Sequence, residues 1–410
     1  MAKLALTTNT YAGEPLEGFI ASTIIENGSN ERGLYTLHTN VKKRSILFTA
    51  DDVVKLQAPA AAFTDQSTTA AIDEKYLDPV AFEFHKQEEY SALVDSFLSQ
   101  KQPAGEMGRY TAPNALADHM VSRYLGKIKA ASERLWWLGK GSVQEFTNAA
   151  SYTGMLPKLI AGSDVSKTKL TSTEMAFSAI TASTGTVTVS STSTLRDGDV
   201  VTITALSTGT TIETTADIFG NATTGALVGA SYHIRVASAT TFVLVRNVNK
   251  AQTTRGTATF SVNNTGGGVI QFINVSNVAT VLSNLYSTLD YSAYDNPSFN
   301  ICIPLHVARA YQVKQGELAT NQLGSLAMPK TMSYNDMKLQ VMNYFPGNTI
   351  LACKQENLHF GTDLLSDANQ LKVIYTGDTT GDEYVRMRAG MCHDGNYTNG
   401  GEISLFYPAA

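Results

Sequence analysis

The chain has 410 residues, of which 43% are hydrophobic and only 16% are charged. This hydrophobic content is enough to build folded cores and excludes an intrinsically disordered protein, and the length predicts two or more structural units. The formal net charge of −5 gives no general electrostatic basis for binding a polyanion, so nucleic acid is not expected as a direct ligand.

The three cysteines, Cys302, Cys353 and Cys392, lie far apart and form no CxxC pair. They fit neither a zinc site nor a disulfide framework, so we expect small buried residues in a protein that folds in a reducing cytoplasm. No stretch approaches the ~18 consecutive apolar residues of a membrane span, and the N-terminus lacks the apolar region of a signal peptide. The sequence therefore predicts no targeting to a membrane or for export.

The first 85 residues divide into an arm and a hairpin. Residues 1–35 contain few periodic apolar positions and a turn cluster at 27–30, which indicates an extended arm. Residues 36–85 contain the strand-like run Ile46–Phe48 and the alternating Val80, Phe82 and Phe84 around a stretch of small residues. This pattern predicts a long hairpin with a flexible middle.

Opposite charges lie on the two arms of this predicted hairpin. The basic residues are Lys42, Lys43 and Arg44, and the acidic residues are Asp73, Glu74 and Asp78. They could pair within the hairpin or across subunits. A solvated charged face is an equally good interpretation, because exposed pairs contribute only ~0–1 kcal/mol.

A long helix is predicted from about Pro113 to Leu138, because apolar residues recur every three or four positions from Leu116 to Leu135. Thr111 is a candidate N-cap, and Gly139 follows the last periodic residue. The two tryptophans, Trp136 and Trp137, lie at the C-terminal end of this helix, and we expect them to pack in a core.

Residues 181–268 differ from the rest because they are rich in Thr, Ser, Val, Ala and Gly, with β-branched runs separated by turn signals. A separate small β-sandwich or barrel is predicted. Mixed α/β character then returns with a helix from Val275 to Leu289, a buried strand Phe299–Ile303, a helix from about Leu305 and a final strand Ile403–Tyr407. The β module thus interrupts one α/β domain.

The sequence contains no local catalytic motif. His-Glu-x-x-His, Walker A, GxSxG and GxGxxG patterns are all absent, and the seven histidines are spread through unrelated segments. The acidic stretch 377–383, with Asp363 and Asp367 nearby, lacks the ligand spacing of an EF-hand and is better explained by two tight turns. We therefore predict no catalytic residue, cofactor or metal site.

The order of these elements resembles that of tailed-phage major capsid proteins of the Hong Kong 97 type. Ile72–Phe84 resembles the exit from their extended E-loop, and Glu133–Lys140 looks like the end of their spine helix. The C-terminal runs Glu356–Asp367, Leu371–Ile374 and Tyr384–Arg388 look like the closing strands of capsid proteins from phages of Bacteroidetes-type hosts.

The resemblance implies an α+β Hong Kong 97-like fold with an inserted all-β domain, immunoglobulin-like or a small barrel. The implied domains are an N-terminal arm (1–35), an E-loop (36–85), a P-domain (86–150) with the spine helix (113–138), an A-domain with the remaining P-domain strands (151–180 and 269–400), the inserted β domain (181–268) and a C-terminal strand and tail (401–410).

The implied function is that of a shell subunit, without enzymatic activity or cofactor. Copies would form hexamers and pentamers in the host bacterial cytoplasm and build the icosahedral virion capsid around double-stranded DNA. The implied partners are further copies, with scaffold, portal and decoration proteins, and DNA only by weak non-specific contact.

Because the chain begins directly with the arm, we expect a separate scaffold or none. Some family members form a Lys–Asn isopeptide cross-link, for which Lys55 or Lys42 would be candidates, but no motif matches and we expect no cross-link.

Three other functions stay open. An encapsulin-like nanocompartment would share the fold but enclose a protein cargo, a tail or adhesin protein would bind host glycans through the β module, and a hydrolase would need a triad assembled only in space. For the inserted β domain itself, host adhesion, shell stabilisation and an ornament without a ligand are all compatible with the sequence, and the ornament is slightly favoured.

Overall fold

The computed structural model of the chain describes residues 9–11, 28–51, 71–89, 113–139, 152–168, 173–181, 184–206, 231–245, 266–289, 299–320, 332–342, 345, 347–363, 371–375 and 384–407. Most of the predicted arm, Thr111, Lys55, Asp367 and the acidic stretch 377–383 lie outside these residues. Within the described part of the chain, no helix has the length and hydropathy needed to cross a bilayer.

The described helices and strands are as follows. The helices are α1 Gly28–Glu31, α2 Pro113–Leu138, α3 Met155–Ala161, α4 Val278–Ser287 and α5 Leu305–Thr320. The strands are β1 Asn9–Tyr11, β2 Thr36–His38, β3 Ser45–Asp51, β4 Ala71–Leu77, β5 Val80–Glu89, β6 Ser166–Thr168, β7 Glu174–Thr181, β8 Thr186–Val189, β9 Val200–Leu206, β10 Ser231–Val236, β11 Thr241–Val245, β12 Gly268–Phe272, β13 Phe299–Pro304, β14 Ser333–Tyr334, β15 Met337–Met342, β16 Ile350–Lys354, β17 Leu358–Thr362, β18 Leu371–Tyr375, β19 Tyr384–Tyr397 and β20 Ser404–Phe406.

The chain divides into two compact units, the first made of Met1–Trp136 and Leu358–Thr398 and the second of Trp137–Asn357 and Asn399–Ala410. The first unit contains a sheet with the strand order β1-β18-β19-β17-β2, and β5 pairs antiparallel with β19 along all of its 10 residues. The long strand β19 is therefore the centre of this sheet, and its partners come from distant parts of the sequence.

The hairpin of the first unit consists of β3 and β4, which pair antiparallel from Ser45 opposite Leu77 to Asp51 opposite Ala71. The alternating run Val80, Phe82 and Phe84, which the sequence analysis assigned to the hairpin, instead forms β5 and pairs with β19. Pro79 separates the two strands, and because proline has no backbone N–H it interrupts a hydrogen-bonded ladder.

Helix α2 spans the 26 residues that its apolar spacing predicts. Tyr124, Ile128 and Leu135 are buried, and the Tyr124 ring lies 5.7 Å from that of Phe84 on β5. The Tyr124 hydroxyl also donates a hydrogen bond to Glu88 of the same strand. Both contacts hold the helix against β5.

Two glycines cross closely where α2 ends. Gly139 has φ +71°, a conformation that L-residues with a Cβ rarely adopt. A Cβ on Gly139 would lie 2.2 Å from the backbone nitrogen of Gly154, and a Cβ on Gly154 would lie 2.3 Å from that of Gly139. Both positions therefore require glycine.

The expected core packing of the two tryptophans is confirmed. Trp136 is fully buried in the first unit, where its ring lies 4.9 Å from Tyr35 and 5.6 Å from Phe360. Trp137 is fully buried in the second unit, with its ring 4.9 Å from Phe345.

The second unit contains a mixed sheet with the order β14-β15-β13-β16-β20-β6. Strand β13 is buried throughout and lies parallel to β15 and antiparallel to β16. Helices α4 and α5 pack on one face through apolar residues such as Leu282 and Val307. Helix α4 begins at Val278, later than predicted, because Asn274 donates its backbone N–H to the Asn277 side chain in a turn at that point.

The β-branched segment of the second unit forms a closed six-stranded barrel with the order β10-β11-β8-β7-β12-β9. Its interior is filled by side chains from all six strands, Phe242 and Leu244 among them. Strands β7 and β12 extend the barrel beyond the predicted limits of 181 and 268, because Phe177 of β7 and Ile270 of β12 belong to the same core. The amino-acid composition therefore changes at the end of β7, the first barrel strand, and not before it.

Candidate functional site

One face of the β3–β4 hairpin exposes large apolar side chains. Ile46 and Phe48 alternate along β3 with exposures of 44% and 62%, and Tyr76 of β4 lies opposite Ile46 with an exposure of 39%. Side chains two residues apart on a strand point to the same face, and directly opposite residues are neighbours across it. These three residues, the hairpin face, therefore form one apolar surface.

The other side of the hairpin is anchored to the first unit. Leu47 and Leu77 are buried together with Val41, and Leu77 is in contact with Gly361 of β17. Hydrogen bonds fix the backbone as well, because the Asn396 side chain donates to the Tyr76 carbonyl at 2.8 Å. The hairpin is thus held from one side while its apolar face points to solvent.

Of the six charged residues predicted as contact candidates, the structure brings two together. Arg44 donates to the Asp78 carboxylate at 3.0 Å, and both side chains are well exposed. The Arg44 guanidinium also lies 5.0 Å from the centre of the Tyr76 ring. Pairing within the hairpin, one of the two predicted possibilities, therefore holds for Arg44 and Asp78.

The remaining charged candidates lie in β4 or just before β3. Lys42 and Lys43 are exposed next to Arg44, and neither makes an ion pair with another described residue. Glu74 is exposed and accepts a hydrogen bond from the Tyr76 hydroxyl at 2.9 Å, which raises the pKa of that hydroxyl. Asp73 lies opposite Thr49 in the strand register.

The charge pattern of the sequence predicted the charged candidates, whereas the exposed apolar residues of the hairpin face were not predicted. The signal was the uninterrupted run Ile46–Phe48, since a strand with one face in solvent alternates apolar and polar residues. Apolar residues at three successive positions predict that both faces of the strand are covered, and within one copy only the Leu47 side is buried.

The described part of the chain also contains buried histidines and cysteines. Burial lowers the pKa of His393 to about 3 and that of His359 to about 4, to which the neighbouring His38 also contributes. The three cysteines are buried, as the sequence predicts for small core residues. In the described ranges, no group of three or more His, Cys, Asp or Glu side chains is arranged to hold a metal ion.

No protein-family model matches the chain, and no curated protein sequence matches it. Solved structures of phage particles are similar to it. A chain in the satellite phage P4 procapsid, which includes the size determination (Sid) protein, has 9% identity and a TM-score of 0.46, covering 96% of this chain and 99% of that one. The cyanophage A-1(L) capsid has 10% identity and a TM-score of 0.44, with coverages of 100% and 97%. A Gordonia phage Cozz chain has 9% identity and a TM-score of 0.44, with coverages of 100% and 91%.

Proposed function

We propose that the chain is the major capsid protein of a tailed phage, with a Hong Kong 97-like fold, and that it acts as a self-assembling structural subunit. The observation that carries the proposal is the hairpin face of Ile46, Phe48 and Tyr76. The order of the described elements also supports the proposal. A hairpin, a 26-residue helix and an α/β sheet interrupted by a β barrel follow one another, which is the order that the resemblance to tailed-phage capsid proteins implies.

The hairpin face has the properties of a surface that is buried after association. Full burial of a Phe or Ile side chain contributes about 1.5–3 kcal/mol, and clustered exposed apolar side chains mark interaction sites. A two-stranded sheet is also only marginally stable by itself. A partner that covers this face would therefore stabilise both the hairpin and the assembly.

We assign this partner as a second copy of the same chain. In a closed symmetric assembly every copy presents the same hairpin, so a modest contact is repeated at each interface. A shell depends on association free energy summed over many repeated contacts, and the hairpin face would supply one of them.

Interfaces commonly have polar groups around an apolar centre. The proposed contact candidates are Lys42, Lys43, Arg44, Asp73, Glu74 and Asp78, of which Glu74 lies directly opposite Phe48 in the strand register. Because Arg44 and Asp78 neutralise each other within one copy, Lys42 and Lys43, which form no ion pair with another described residue, are the cations that we propose to meet an acidic group of a neighbour. Rim charges of this kind affect association rate and specificity more than affinity.

In its full form the proposal includes hexamers and pentamers, an icosahedral virion capsid that encloses double-stranded DNA, assembly in the host cytoplasm, and contacts with scaffold, portal and decoration proteins. Packaged DNA would touch the shell only weakly and non-specifically, in keeping with the net charge of −5.

The test compares the purified chain with two single variants by size-exclusion chromatography with light scattering and by negative-stain microscopy. Phe48→Asp places a charge on the hairpin face, and Thr240→Asp places the same charge on an exposed loop of the barrel. We expect shells or rings from the original chain and from Thr240→Asp, and small folded species from Phe48→Asp.

Thermal unfolding separates assembly from folding in this experiment. Because Phe48 is mostly exposed, its replacement removes little core packing, and the stability of the single chain should fall by only about 1–2 kcal/mol, through the low strand propensity of Asp and the like charge of Glu74 opposite. A chain that stays monomeric at all concentrations and salt conditions would contradict the capsid function. Normal shells from Phe48→Asp would contradict only the role of the hairpin face.

A further inference from the structure

The segment between β15 and β16 approaches the barrel through a glycine. Gly347 has φ +50°, and a Cβ on it would lie 2.5 Å from the Thr202 hydroxyl of β9 and 2.7 Å from the Ser231 hydroxyl of β10. These two hydroxyls are hydrogen-bonded to each other at 2.8 Å. The backbone at Gly347 therefore lies directly against the barrel wall, at a distance that a side chain would prevent.

The next residue, Asn348, is fully buried and joins three elements with one carboxamide. Its Nδ2 donates to the Gln271 carbonyl of β12 at 2.9 Å and to the Thr202 hydroxyl at 3.3 Å. Its Oδ1 lies 2.9 Å from Nε2 of His306, in the first turn of α5. Gln271 and Thr202 are themselves opposite each other in the barrel register.

The donors and acceptors of this group can be assigned. The Gln271 backbone carbonyl can only accept, so the amide nitrogen of Asn348 must face it. Oδ1 then faces His306, and His306 must donate from Nε2. Burial lowers the pKa of His306 to about 4, so the ring is neutral at pH 7 and carries its proton on Nε2.

Three further contacts join the barrel to the α/β part of the second unit. Asn274, between β12 and α4, donates from Nδ2 to the Thr194 carbonyl at 2.6 Å and to the Asp199 carboxylate at 2.9 Å. Arg196, in the same barrel loop, lies 3.6 Å from Glu317 of α5. The barrel is thus bound to the segment that leads into α4 and to α5, in addition to the Asn348 contacts.

We propose that Asn348 is a positioning residue that fixes the barrel in one orientation on the α/β part of the second unit. The barrel is then a rigid platform whose outer surface has a defined direction, and not a module on flexible connections. This inference goes beyond the proposed function, since it holds for a shell subunit and for any other assembly that this chain could form.

The physical reason is the high cost of leaving buried polar groups without partners. Any rotation of the barrel would separate the Asn348 amide from the Gln271 carbonyl and from Thr202 at once. In the interior these groups would find no water to replace the lost hydrogen bonds. A single orientation is therefore strongly preferred over a range of nearby ones.

The test measures the distance between spin labels on the barrel and on α5. Thr240→Cys and Val313→Cys provide exposed attachment sites, and the three native cysteines are buried. We expect one narrow distance distribution for the chain with Asn348. The substitution Asn348→Ala should broaden it or add a second population, while Asn284→Ala, at a half-buried position of α4 outside the junction, should leave it narrow.

Amide hydrogen exchange gives a second readout that global destabilisation would not reproduce. Protection in β9 and β12 near the junction should fall by about tenfold or more in Asn348→Ala, while β8 and β11 on the other side of the barrel keep theirs. If Asn348→Ala does not fold, Thr202→Val removes the hydroxyl with little change in shape and is measured in the same way. A broad distribution in the starting chain, or unchanged distances and exchange in the variant that folds, would overturn the proposal.

Discussion

The ammonium group of Lys75 lies 3.5 Å from the centre of the Tyr397 ring and donates a hydrogen bond to the Thr398 carbonyl at 2.9 Å. Lys75 belongs to β4 of the hairpin, and Tyr397 is the last residue of β19. One side chain therefore ties the hairpin to the central strand of the first unit. It extends from the side opposite to the hairpin face, which explains how the hairpin is held while that face remains open.

Replacing Lys75 by Met should loosen the hairpin without unfolding the unit. Met keeps most of the aliphatic stem but loses both the cation–π contact and the hydrogen bond, which together contribute about 1–3 kcal/mol. Hydrogen exchange of the amides in β3 and β4 should accelerate accordingly. Lys43→Met is the matched control, because Lys43 is exposed just before β3 of the same hairpin, and equal protection in the two variants would contradict the anchoring role.

The close crossing of Gly139 and Gly154 predicts a strongly position-dependent effect of adding one methyl group. Gly154→Ala would place its Cβ 2.3 Å from the Gly139 nitrogen, so backbone must move and stability should fall by about 2–4 kcal/mol. Gly126→Ala, in the exposed interior of α2, meets no atom within 4 Å and should stabilise the helix by about 0.5–1 kcal/mol. Denaturant unfolding of both variants measures the difference in stability. Equal unfolding midpoints for Gly154→Ala and Gly126→Ala would show that the close crossing does not contribute to stability.

Local periodicity was sufficient to predict α2, α4 and α5 and the buried strands β13 and β20, whereas the short helices α1 and α3 were not predicted. The spacing of apolar residues gave α2 its full length, and the continuous apolar run at Phe299–Ile303 forms the buried strand β13. These patterns are readable because each depends only on which face of one element is buried.

Strand partners could not be predicted in the same way. The run Val80–Phe84 has the alternation of a strand whether it pairs with β3 or with β19, and its partner lies some three hundred residues away in the chain. The contacts of Asn348 with the barrel could not be predicted for a similar reason. An isolated Gly-Asn pair in the sequence indicates a turn, but it does not indicate which barrel residues the turn contacts.

The acid sensitivity of the first unit should depend measurably on His393. Its ring lies among aromatic side chains, 4.9 Å from Phe82 and 5.3 Å from Phe360, and burial lowers its pKa to about 3. In the unfolded chain a histidine titrates near pH ~6.5. Between these two values the unfolded chain binds a proton that the folded chain does not. The free energy of unfolding therefore falls as the pH is lowered from about 6.5 towards 4, by roughly 1.4 kcal/mol per pH unit for this group.

The variant His393→Leu has no imidazole at this position that could bind a proton in the unfolded chain. Its free energy of unfolding should therefore fall less steeply with decreasing pH than that of the original chain. Urea unfolding at several pH values between 7.5 and 4.5 gives the slope directly, independently of any change in absolute stability. The control is Val385→Ala, a buried position of β19 that carries no titratable group, so it should lower the stability while His393 keeps the steep slope. Parallel curves for His393→Leu and the original chain would mean that His393 takes up its proton equally in the folded and unfolded states, in conflict with its burial.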